Sequence, residues 1–434
     1  MENILVIGGG LMGSSTAWKL AEHGEKVTLV EQQAKHYTTG SSYGSARISR
    51  SLGPKKDVFS FVHKRTVKEV EHLIDFLNSE KPDAKHKMED IYSTSPVSYL
   101  YSKGQYDDIN KLNYKKQRKY FRRASGDSAF RKFGVTLKDD QVLIREHRKY
   151  SGTINPKELI KKIQLGIKKK GGKIKHNCKV INLIKKRDYF EVELLNTKTN
   201  ETKTIQAKKI VVAAGPYTVD VLKNFAPYFN RIIVPKKVLL AYFKIKDKRY
   251  QQLSDAEKKS IVNAQPMFSQ IGKEFFSMIE KTANNSSPIF KAGGHQIRRN
   301  IIDLDTVWEV APNKKELKWI KKHFRKYLEM LEIFLHKKEI ELTEAYNCVY
   351  SMTKTKIPLV TPIFNKFGSL DKNIVVIGGM SGIGAKGCLG YAMIAANLIL
   401  CKEESSKIYR KAAKAFGNPS VRLHTRRIKH GRLF

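Results

Sequence analysis

Residues 3–31 read NILVIGGGLMGSSTAWKLAEHGEKVTLVE, and this stretch decides the fold. It opens with an apolar strand at residues 4–7 and continues into three glycines in G-x-G-x-x-G spacing, Gly8, Gly10 and Gly13. Gly8 permits a tight turn, Gly10 lets backbone amides approach a pyrophosphate, and Gly13 lets the following helix pack closely on the strand. The stretch therefore predicts a dinucleotide-binding βαβ unit. The alternative is an ordinary βαβ unit with glycine-rich packing.

The remainder of this stretch supplies the context that such a motif requires. A helix is predicted over residues 14–23, it stops at Gly24, and a second strand follows over residues 26–30. Glu31 stands at the end of that strand, where a carboxylate accepts both hydroxyls of an adenosine ribose. Because a carboxylate disfavours a 2′-phosphate, NADP is not expected. These residues alone leave both NAD and FAD open.

The composition bounds the class of protein. With 434 residues, 41% of them hydrophobic, the chain can bury a large core, and its length predicts two or three domains. No apolar run reaches the roughly 18 residues of a membrane span, and Met1 leads almost directly into a strand, so we expect neither a span nor a signal peptide. The four cysteines have no zinc or disulfide spacing, which predicts no metal site and a reducing, cytoplasmic location.

The charge of the chain is unusual. Lys and Arg total 82 against 41 Asp and Glu, a formal net charge of +41, and such a field attracts polyanions and anionic surfaces. Residues 115–132 hold eight basic side chains and one acid, interleaved with Tyr120, Phe121 and Phe130, a mixture suited to stacking and phosphate binding. Residues 407–434 hold nine basic side chains and no acid. The alternative is a Lys-rich source proteome that decorates solvated surfaces, and we favour it over nucleic-acid binding.

The next segment separates FAD from NAD. Residues 40–50 read GSSYGSARISR, a small-residue loop that carries Arg47 and Arg50 after the second strand. Here the chain resembles the sarcosine oxidase family of FAD-dependent amine oxidases, which includes N-methyltryptophan, pipecolate and fructosyl-amino-acid oxidases. Further motifs resemble this family in the same order along the chain, and they lie at residues 208–217, 287–295, 346–353 and 373–389.

The architecture follows from the resemblance and from the order of predicted strands and helices. We expect an α/β (α+β) fold in which a Rossmann-like FAD-binding domain carries a discontinuous antiparallel-sheet substrate domain. The FAD-binding segments are expected at 1–90, 143–222 and 343–401, the substrate-domain segments at 91–142 and 223–342, and a basic C-terminal tail at 402–434.

FAD is the cofactor that the resemblance implies, and Cys348 matches the cysteine that carries flavin through a thioether in this family. Attachment needs a thiolate near the ring, and nearby cations lower the pKa of such a thiol. The alternatives are a buried, inert Cys348 and attachment at Cys388. The cofactor-binding residues implied by the matching motifs are Gly8, Gly10, Met12, Gly13, Glu31, Ser41, Arg47, Val180, Gly215, Cys348, Gly382, Gly384 and Lys386.

Three residues receive catalytic roles from the resemblance. Lys291 matches the family's oxygen-activating lysine, because a fixed cation near flavin N5 stabilises negative charge that develops on oxygen. Arg47 matches an arginine close to the flavin ring, and His295 matches a histidine near the substrate. The alternatives are a Lys291 that forms a structural salt bridge and a His295 that only packs in the core or lies on the surface.

The substrate pocket is expected to bind a carboxylated amine. Arg50, with its bidentate fork, and Lys386, a point charge, form the candidate clamp for the carboxylate, and Tyr350 is assigned to the same pocket. Phe276 stands where sarcosine oxidases have a tyrosine, and Ile383 where they have a histidine. The pocket is therefore expected to be more apolar, which favours a larger or cyclic secondary amino acid, or an N-substituted one, over sarcosine.

The predicted reaction is the oxidation of such an amino acid to an imine, with flavin as the electron sink and O2 reduced to H2O2. The expected partners are the small-molecule amine and O2, and a monomer is favoured. One alternative is an amine dehydrogenase that passes its electrons to another acceptor. The other, from a different class, is a basic flavoprotein-derived module that binds nucleic acid or an anionic surface.

Overall fold

The structure is a computed structural model. It describes residues 1–35, 40–50, 57–80, 85–111, 121–147, 149–271, 274–282, 286–294, 301, 303–364 and 370–417. Within these residues the chain forms two eight-stranded sheets and one three-stranded sheet, with helices packed against the two large sheets.

The strands and helices are numbered in chain order. The strands are β1 (Glu2–Ile7), β2 (Val27–Val30), β3 (Arg47–Ser49), β4 (Tyr92–Thr94), β5 (Val97–Ser102), β6 (Phe121–Ser125), β7 (Gln141–Glu146), β8 (Gly152–Ile154), β9 (Lys173–Lys175), β10 (Cys178–Lys185), β11 (Phe190–Asn196), β12 (Thr202–Val212), β13 (Ile233–Ile245), β14 (Met267–Ser269), β15 (Phe275–Lys281), β16 (Ile289–Gly294), β17 (Ile340–Thr353), β18 (Leu359–Phe364) and β19 (Leu370–Gly378). The α-helices are α1 (Leu11–Glu22), α2 (Asp57–Glu80), α3 (Lys103–Lys111), α4 (Ser128–Phe133), α5 (Pro156–Lys169), α6 (Thr218–Leu222), α7 (Asp247–Gln251), α8 (Asp255–Val262), α9 (Lys314–Met330), α10 (Cys388–Ile399) and α11 (Lys407–Phe416).

The first large sheet contains the predicted βαβ unit. Its order is β10-β11-β12-β1-β2-β9, and β19 and β18 continue it from β12. Strand β1 pairs in parallel with β2 and with β12, and its residues 4–7 are buried because apolar clusters pack on both faces of the sheet. Helices α1, α2, α5, α10 and α11 pack on one face around a single apolar cluster. The predicted strand-glycine-helix-strand order is therefore confirmed.

The second large sheet has the order β17-β13-β16-β15-β14-β5-β7-β6 and is antiparallel except where β14 pairs with β5. Helix α9 covers one face, where Phe324 stacks on Phe243 at 4.8 Å between ring centroids. The opposite face is left for the site described below. This mixture of a Rossmann-like sheet and an antiparallel sheet confirms the predicted fold class. The division into domains stays a prediction, and its boundary at residue 342 falls inside β17.

Helix α1 begins at Leu11, three residues before the predicted start at Ser14. Gly10 is the N-cap with an extended backbone, and Ser42 Oγ accepts a hydrogen bond from the Leu11 amide at 3.1 Å. Gly10 therefore caps the helix and Gly13 lies in its first turn. The helix ends before Gly24, whose φ of +79° suits a glycine.

The segment predicted as a basic tail contains a helix. Helix α11 places Tyr409, Ala412 and Phe416 in the core, and Phe416 packs edge-on against Tyr391 of α10 at 5.0 Å. Residues three and four apart share one helix face, so the apolar positions outweigh the basic composition of the segment. Residues 418–434 lie outside the described part of the chain.

The remaining features bear on partners. Of the basic stretch 115–132, the structure describes residues 121–132, where Phe130 is 57% exposed. None of the helices in the described residues combines the length and apolarity needed to cross a bilayer.

Glu22, Glu69 and His72 offer ligand atoms within 4.8 Å of one another. Lys19 pairs with both carboxylates, at 2.6 and 2.5 Å.

Candidate active site

One face of the second sheet gathers side chains from four strands. Side chains alternate between the faces of a strand, and directly paired residues point to the same face. Lys291 on β16 is paired with Met278 on β15 and Tyr242 on β13, and Cys348 on β17 is paired with Val238 on β13. The pairing therefore places Lys291 and Cys348 on one face, opposite the face covered by α9.

A large cavity separates this face from the carboxyl ends of β1 and β2. It encloses about 1620 Å³ of empty space, its mouth included. Thirteen of the predicted site residues line it: Gly8, Gly10, Met12, Glu31, Ser41, Arg47, Val180, Gly215, Lys291, Cys348, Tyr350, Gly382 and Gly384. Gly13, Arg50 and Lys386 lie outside this lining. His295 lies outside the described residues.

The glycine turn at one end of the cavity has no room for side chains. A Cβ on Gly8 would lie 2.5 Å from the carbonyl oxygen of Ala213, and Gly8 has a φ of +103°. A Cβ on Gly13 would lie 1.7 Å from the Gly8 carbonyl oxygen. Both contacts are with backbone, which cannot move aside as a flexible side chain would. The close packing of helix on strand expected at Gly13 is therefore present.

Glu31 closes the same end. Its Oε2 accepts a hydrogen bond from the Gly9 amide at 2.6 Å, and its Oε1 accepts one from the Gln33 amide at 2.9 Å. Burial raises the pKa of Glu31, and these amide hydrogen bonds only partly offset the rise. The carboxylate thus lies beside the glycine turn at the end of β2, as the spacing predicts.

The loop of residues 40–46 is held over the cavity by Arg47. The guanidinium donates to the carbonyl oxygens of Ala46 at 2.8 Å and Ser41 at 3.2 Å, and also to that of Tyr43. Burial lowers the pKa of Arg47, but the surrounding groups, Cys348 foremost, outweigh it and leave the pKa raised. Arg47 therefore stays charged, lines the cavity and fixes this loop.

Lys291 is fully buried at the other end of the cavity. Its Nζ lies 3.4 Å from the Ala46 carbonyl oxygen and 3.4 Å from Glu280 Oε2. Burial, and then the charge of Arg47, lower the pKa of Lys291 to about 7, while Glu280 opposes the shift. Lys291 therefore lines the cavity and also forms a salt bridge, which was the alternative interpretation.

The cysteines occupy different environments. Cys348 is buried and lines the cavity; burial raises the pKa of its thiol, against the lowering effect of Arg47 and Lys291. Cys388 lies on α10 away from the cavity lining, where burial raises its pKa to about 11. Cys178 also lines the cavity, two residues before Val180, a predicted cofactor-binding residue.

Arg50 lies behind the cavity wall among aromatic rings. Its Cζ lies 5.0 Å from the ring centroid of Tyr99 and 5.3 Å from that of Phe268. The Tyr99 hydroxyl donates to Glu146 Oε2 at 2.9 Å. Burial lowers the pKa of Arg50, but Tyr99 and Glu146 outweigh it, so the pKa is raised. Nη1 of Arg50 is buried and meets no hydrogen-bond acceptor among the described residues.

Lys386 lies in a short turn, residues 385–387, next to the cavity-lining Ala385. His63 is a buried imidazole of α2. Burial, followed by the charge of Lys386 and then that of Arg50, holds the pKa of His63 well below its usual value. The structure therefore brings the two predicted cations to one neutral histidine. The sequence interpretation did not single out His63.

The two departures that suggested an apolar pocket lie in different places. Phe276 lines the cavity, and its ring covers Gly293, where a Cβ would lie 2.2 Å from the ring. Ile383 is half-buried and packs against the core of the first sheet. Tyr350 lines the cavity beside Gly382, which must be a glycine because a Cβ would lie 2.5 Å from the tyrosine ring.

Comparison with known proteins agrees with this arrangement. The model of the family described as "DAO: FAD dependent oxidoreductase" matches residues 3–398. The chain belongs to this FAD-dependent oxidoreductase family. A probable sarcosine oxidase of Arabidopsis thaliana is 24% identical over 394 residues, which is 88% of this chain and 84% of the relative.

Solved structures of the same fold cover nearly the whole chain. NikD, an amino acid oxidase essential for nikkomycin biosynthesis, superposes with a TM-score of 0.67 at 16% identity, over 94% of this chain and 97% of its own. L-proline dehydrogenase from P. horikoshii superposes with a TM-score of 0.69 at 16% identity, over 96% of this chain and 99% of its own. At such identities these likenesses show the fold alone.

The FAD-dependent oxidoreductase family requires a site for FAD, and the cavity fits that group. The turn at Gly8 leaves backbone exposed where no Cβ fits, and the N-terminus of α1 points its amides at the same place. The Glu31 carboxylate lies at the end of β2, where an adenosine ribose is held in dinucleotide sites. Arg47 and Cys348 line the opposite end.

Two residues of the site were missed from the sequence. Among the described residues Glu280 is the carboxylate paired with Lys291, and it lies on the same strand as the cavity-lining Phe276 and Met278, four and two residues away respectively. Alternation along β15 was the available signal, since it would place residues 276, 278 and 280 on one face, although the pairing with β16 shifts register at Glu280. His63 gave no signal, because it lies in an amphipathic helix far along the chain from Lys386.

Proposed function

We propose that the protein is an FAD-dependent amine oxidase acting on the CH–NH bond of a secondary or N-substituted amino acid. The substrate loses two hydrogens and becomes an imine, and O2 takes up both hydrogens as H2O2. The observation that carries this proposal is Lys291, a fully buried cation on the cavity face beside Arg47 and Cys348. Burying a lysine costs free energy that pairing with Glu280 offsets only in part, which supports a role for Lys291 in the chemistry.

Lys291 has a role after the flavin is reduced. FAD, when bound, supplies the acceptor for the two electrons that leave the C–N bond. Lys291 then offers a positive charge in a site shielded from water, where negative charge develops on oxygen. The Ala46 carbonyl fixes the position of Nζ, so this charge is preorganised before oxygen arrives.

Arg50 and Lys386 are proposed to hold the substrate carboxylate. Support comes from the buried Nη1 of Arg50, which lacks an acceptor in the described part of the chain, and from the shared neighbour His63. A carboxylate would satisfy Nη1 with a charge-assisted hydrogen bond. Phe276 in the lining supports an apolar substrate side chain, which favours a larger or cyclic amino acid over sarcosine.

Cys348 is proposed to carry the flavin covalently. It lines the cavity at the end opposite the glycine turn, and Arg47 and Lys291 both lower its pKa, although burial leaves the pKa raised. The thiol would first lose its proton; the sulfur would then replace one hydrogen of the flavin methyl group, and the two electrons left on the flavin would pass to O2. We further propose a monomer of the cytoplasm whose partners are the amine and O2.

A substrate panel tests the proposed function. Purified holoenzyme is mixed anaerobically with secondary and N-substituted amino acids, and bleaching of the flavin absorbance identifies the substrate. The same substrate is then supplied in air with peroxide detection. Bleaching followed by stoichiometric peroxide is the expected result. Bleaching without peroxide, with turnover restored by an artificial acceptor, would contradict the oxidase and favour a dehydrogenase.

A further inference from the structure

A second cavity lies against the wall behind Lys291. It holds about 1100 Å³ of empty space, its open mouth included, and is lined by Tyr43, Ser45, Tyr242, Glu280 and Glu344 among others. Lys291 lines only the first cavity, whereas Glu280 lines only the second. The ion pair between them, 3.4 Å from Nζ to Oε2, therefore spans the wall.

The backbone of the loop at Gly44 and Ser45 packs closely against this ion pair. A Cβ on Gly44 would lie 2.8 Å from Lys291 Nζ and 3.4 Å from Glu280 Oε1, and its φ is +99°. The Ser45 amide donates a hydrogen bond to Glu280 Oε1 at 2.5 Å. Backbone thus fixes the carboxylate on one side, and the carboxylate faces the ammonium on the other.

We propose that Glu280 is a positioning residue, which holds Lys291 in place and in its charged form at the cavity face. This inference rests on the proposed function of Lys291. The pair is asymmetric: the side chain of Lys291 is 1% exposed and that of Glu280 is 10% exposed. Glu280 thus lies nearer the second cavity than Lys291 does, but Oε2, the oxygen that faces Nζ, is itself buried, so the ion pair lies in a site shielded from water.

The charges around Lys291 explain why it needs a partner. Arg47 lies on β3, Glu280 on β15, Cys348 on β17, and the ring of Tyr242 on β13 lies 5.2 Å from Nζ. Burial and Arg47 disfavour the ammonium, whereas Glu280 and Cys348 favour it, and the pKa settles at about 7. Cys348 acts this way only as a thiolate, and burial raises its pKa. Glu280 is thus the carboxylate that raises the pKa of Lys291 against burial and Arg47, and it favours the ammonium form near neutral pH.

The test compares Glu280→Gln with Glu344→Gln. Both remove one carboxylate from the second cavity, but Glu344 has no ion pair with Lys291. Holoenzyme is labelled with trace acetic anhydride across a pH series, and mass spectrometry of the Lys291 peptide gives the titration midpoint. Loss of the neighbouring carboxylate should lower the midpoint by roughly one to three pH units. Glu344→Gln should leave it unchanged.

The same variants are then compared in reoxidation. The rate at which O2 reoxidises reduced holoenzyme is measured against pH by stopped flow. Since the charged form acts, the rate falls as pH rises through the Lys291 midpoint. The fall should move to lower pH in Glu280→Gln alone.

The outcomes separate the two proposals. Equal midpoints in both variants would overturn the positioning role of Glu280. A shifted midpoint with an unshifted reoxidation profile supports that role but overturns the part of the proposed function that Lys291 carries. If Glu280→Gln does not fold, Glu280→Asp withdraws the carboxylate by one methylene and must also lower the midpoint; an unchanged midpoint there overturns the inference as well.

Discussion

The two ends of the large cavity are built in different ways. At the nucleotide end, Gly8, Gly13 and Glu31 lie within one short stretch, and the close contacts are with backbone. At the reaction end, Lys291 meets the carbonyl of Ala46 from 245 residues away, and Cys348 arrives on yet another strand. Backbone turns are encoded locally, whereas this cluster of side chains depends on strand pairing between distant segments.

The largest expected effect is at the nucleotide end. Gly13→Ala puts a Cβ 1.7 Å from the Gly8 carbonyl oxygen, so α1 must move away from β1. Overpacking of this kind costs about 1–3 kcal/mol, occasionally more. We expect most of the bound FAD to be lost, measured as flavin absorbance per chain. Gly104→Ala, where a Cβ meets open space, is the control and should retain full flavin. Full flavin in Gly13→Ala would mean that this turn is not the binding site.

The second prediction concerns the linkage at the reaction end. Cys348→Ser removes the only proposed attachment atom while keeping the size of the side chain close to that of the original. Acid precipitation should leave the unaltered protein yellow and should release the flavin of the variant into the supernatant. Cys388→Ser is the matched control, because that buried thiol does not line the cavity. Flavin released from the unaltered protein would remove Cys348 from this role.

The same contrast explains what the sequence can predict. Residues 3–31 predict their strands, turn and carboxylate position because G-x-G-x-x-G geometry is a local property of the chain. Lys291 and Cys348 were found only through resemblance to a family, since no spacing in the sequence puts them on one face. Their meeting depends on pairings such as Val238 with Cys348 and Tyr242 with Lys291. Such register is fixed by tertiary packing.

Two features of the structure were not predicted from the sequence. Helix α11 lies in the segment predicted as a basic C-terminal tail, a prediction based on its many basic side chains. Three apolar positions on one helix face nevertheless decide its packing. Glu280 lies on β15, two residues beyond Met278, and its contact with Lys291 depends on how β15 pairs with β16, which the sequence does not specify. For α11, overall composition was a poorer guide to burial than the positions of the apolar residues. For Glu280, the sequence did not give the register of the strand pairing.

The third prediction separates the two halves of the reaction. Lys291→Met removes the charge at the oxygen site but keeps most of the side-chain volume. Anaerobic reduction of the flavin by substrate should be nearly unchanged, whereas reoxidation by O2 should slow by roughly a hundred- to a thousandfold. Stopped-flow absorbance follows both steps. Equal slowing of both would show that Lys291 supports the shape of the site, and no slowing would move the role to Arg47.

The smallest effect is expected at the substrate carboxylate, behind the cavity wall. Arg50→Met removes a buried guanidinium whose Nη1 meets no acceptor in the described part of the chain. Loss of one charge-assisted hydrogen bond should cost roughly 1.5–3 kcal/mol of binding, about ten- to hundredfold in apparent affinity. The loss is measured by anaerobic titration with the substrate and with its uncharged amide. Arg145→Met, a second buried arginine outside the cavity lining, controls for the loss of buried charge. Weaker binding of the carboxylate substrate alone, seen in Arg50→Met alone, would show that Arg50 contacts the substrate carboxylate. Equal weakening for the amide would instead mean that Arg50 holds Tyr99 and Glu146 in place, so that the reaction end, like the nucleotide end, relies on its scaffold for binding.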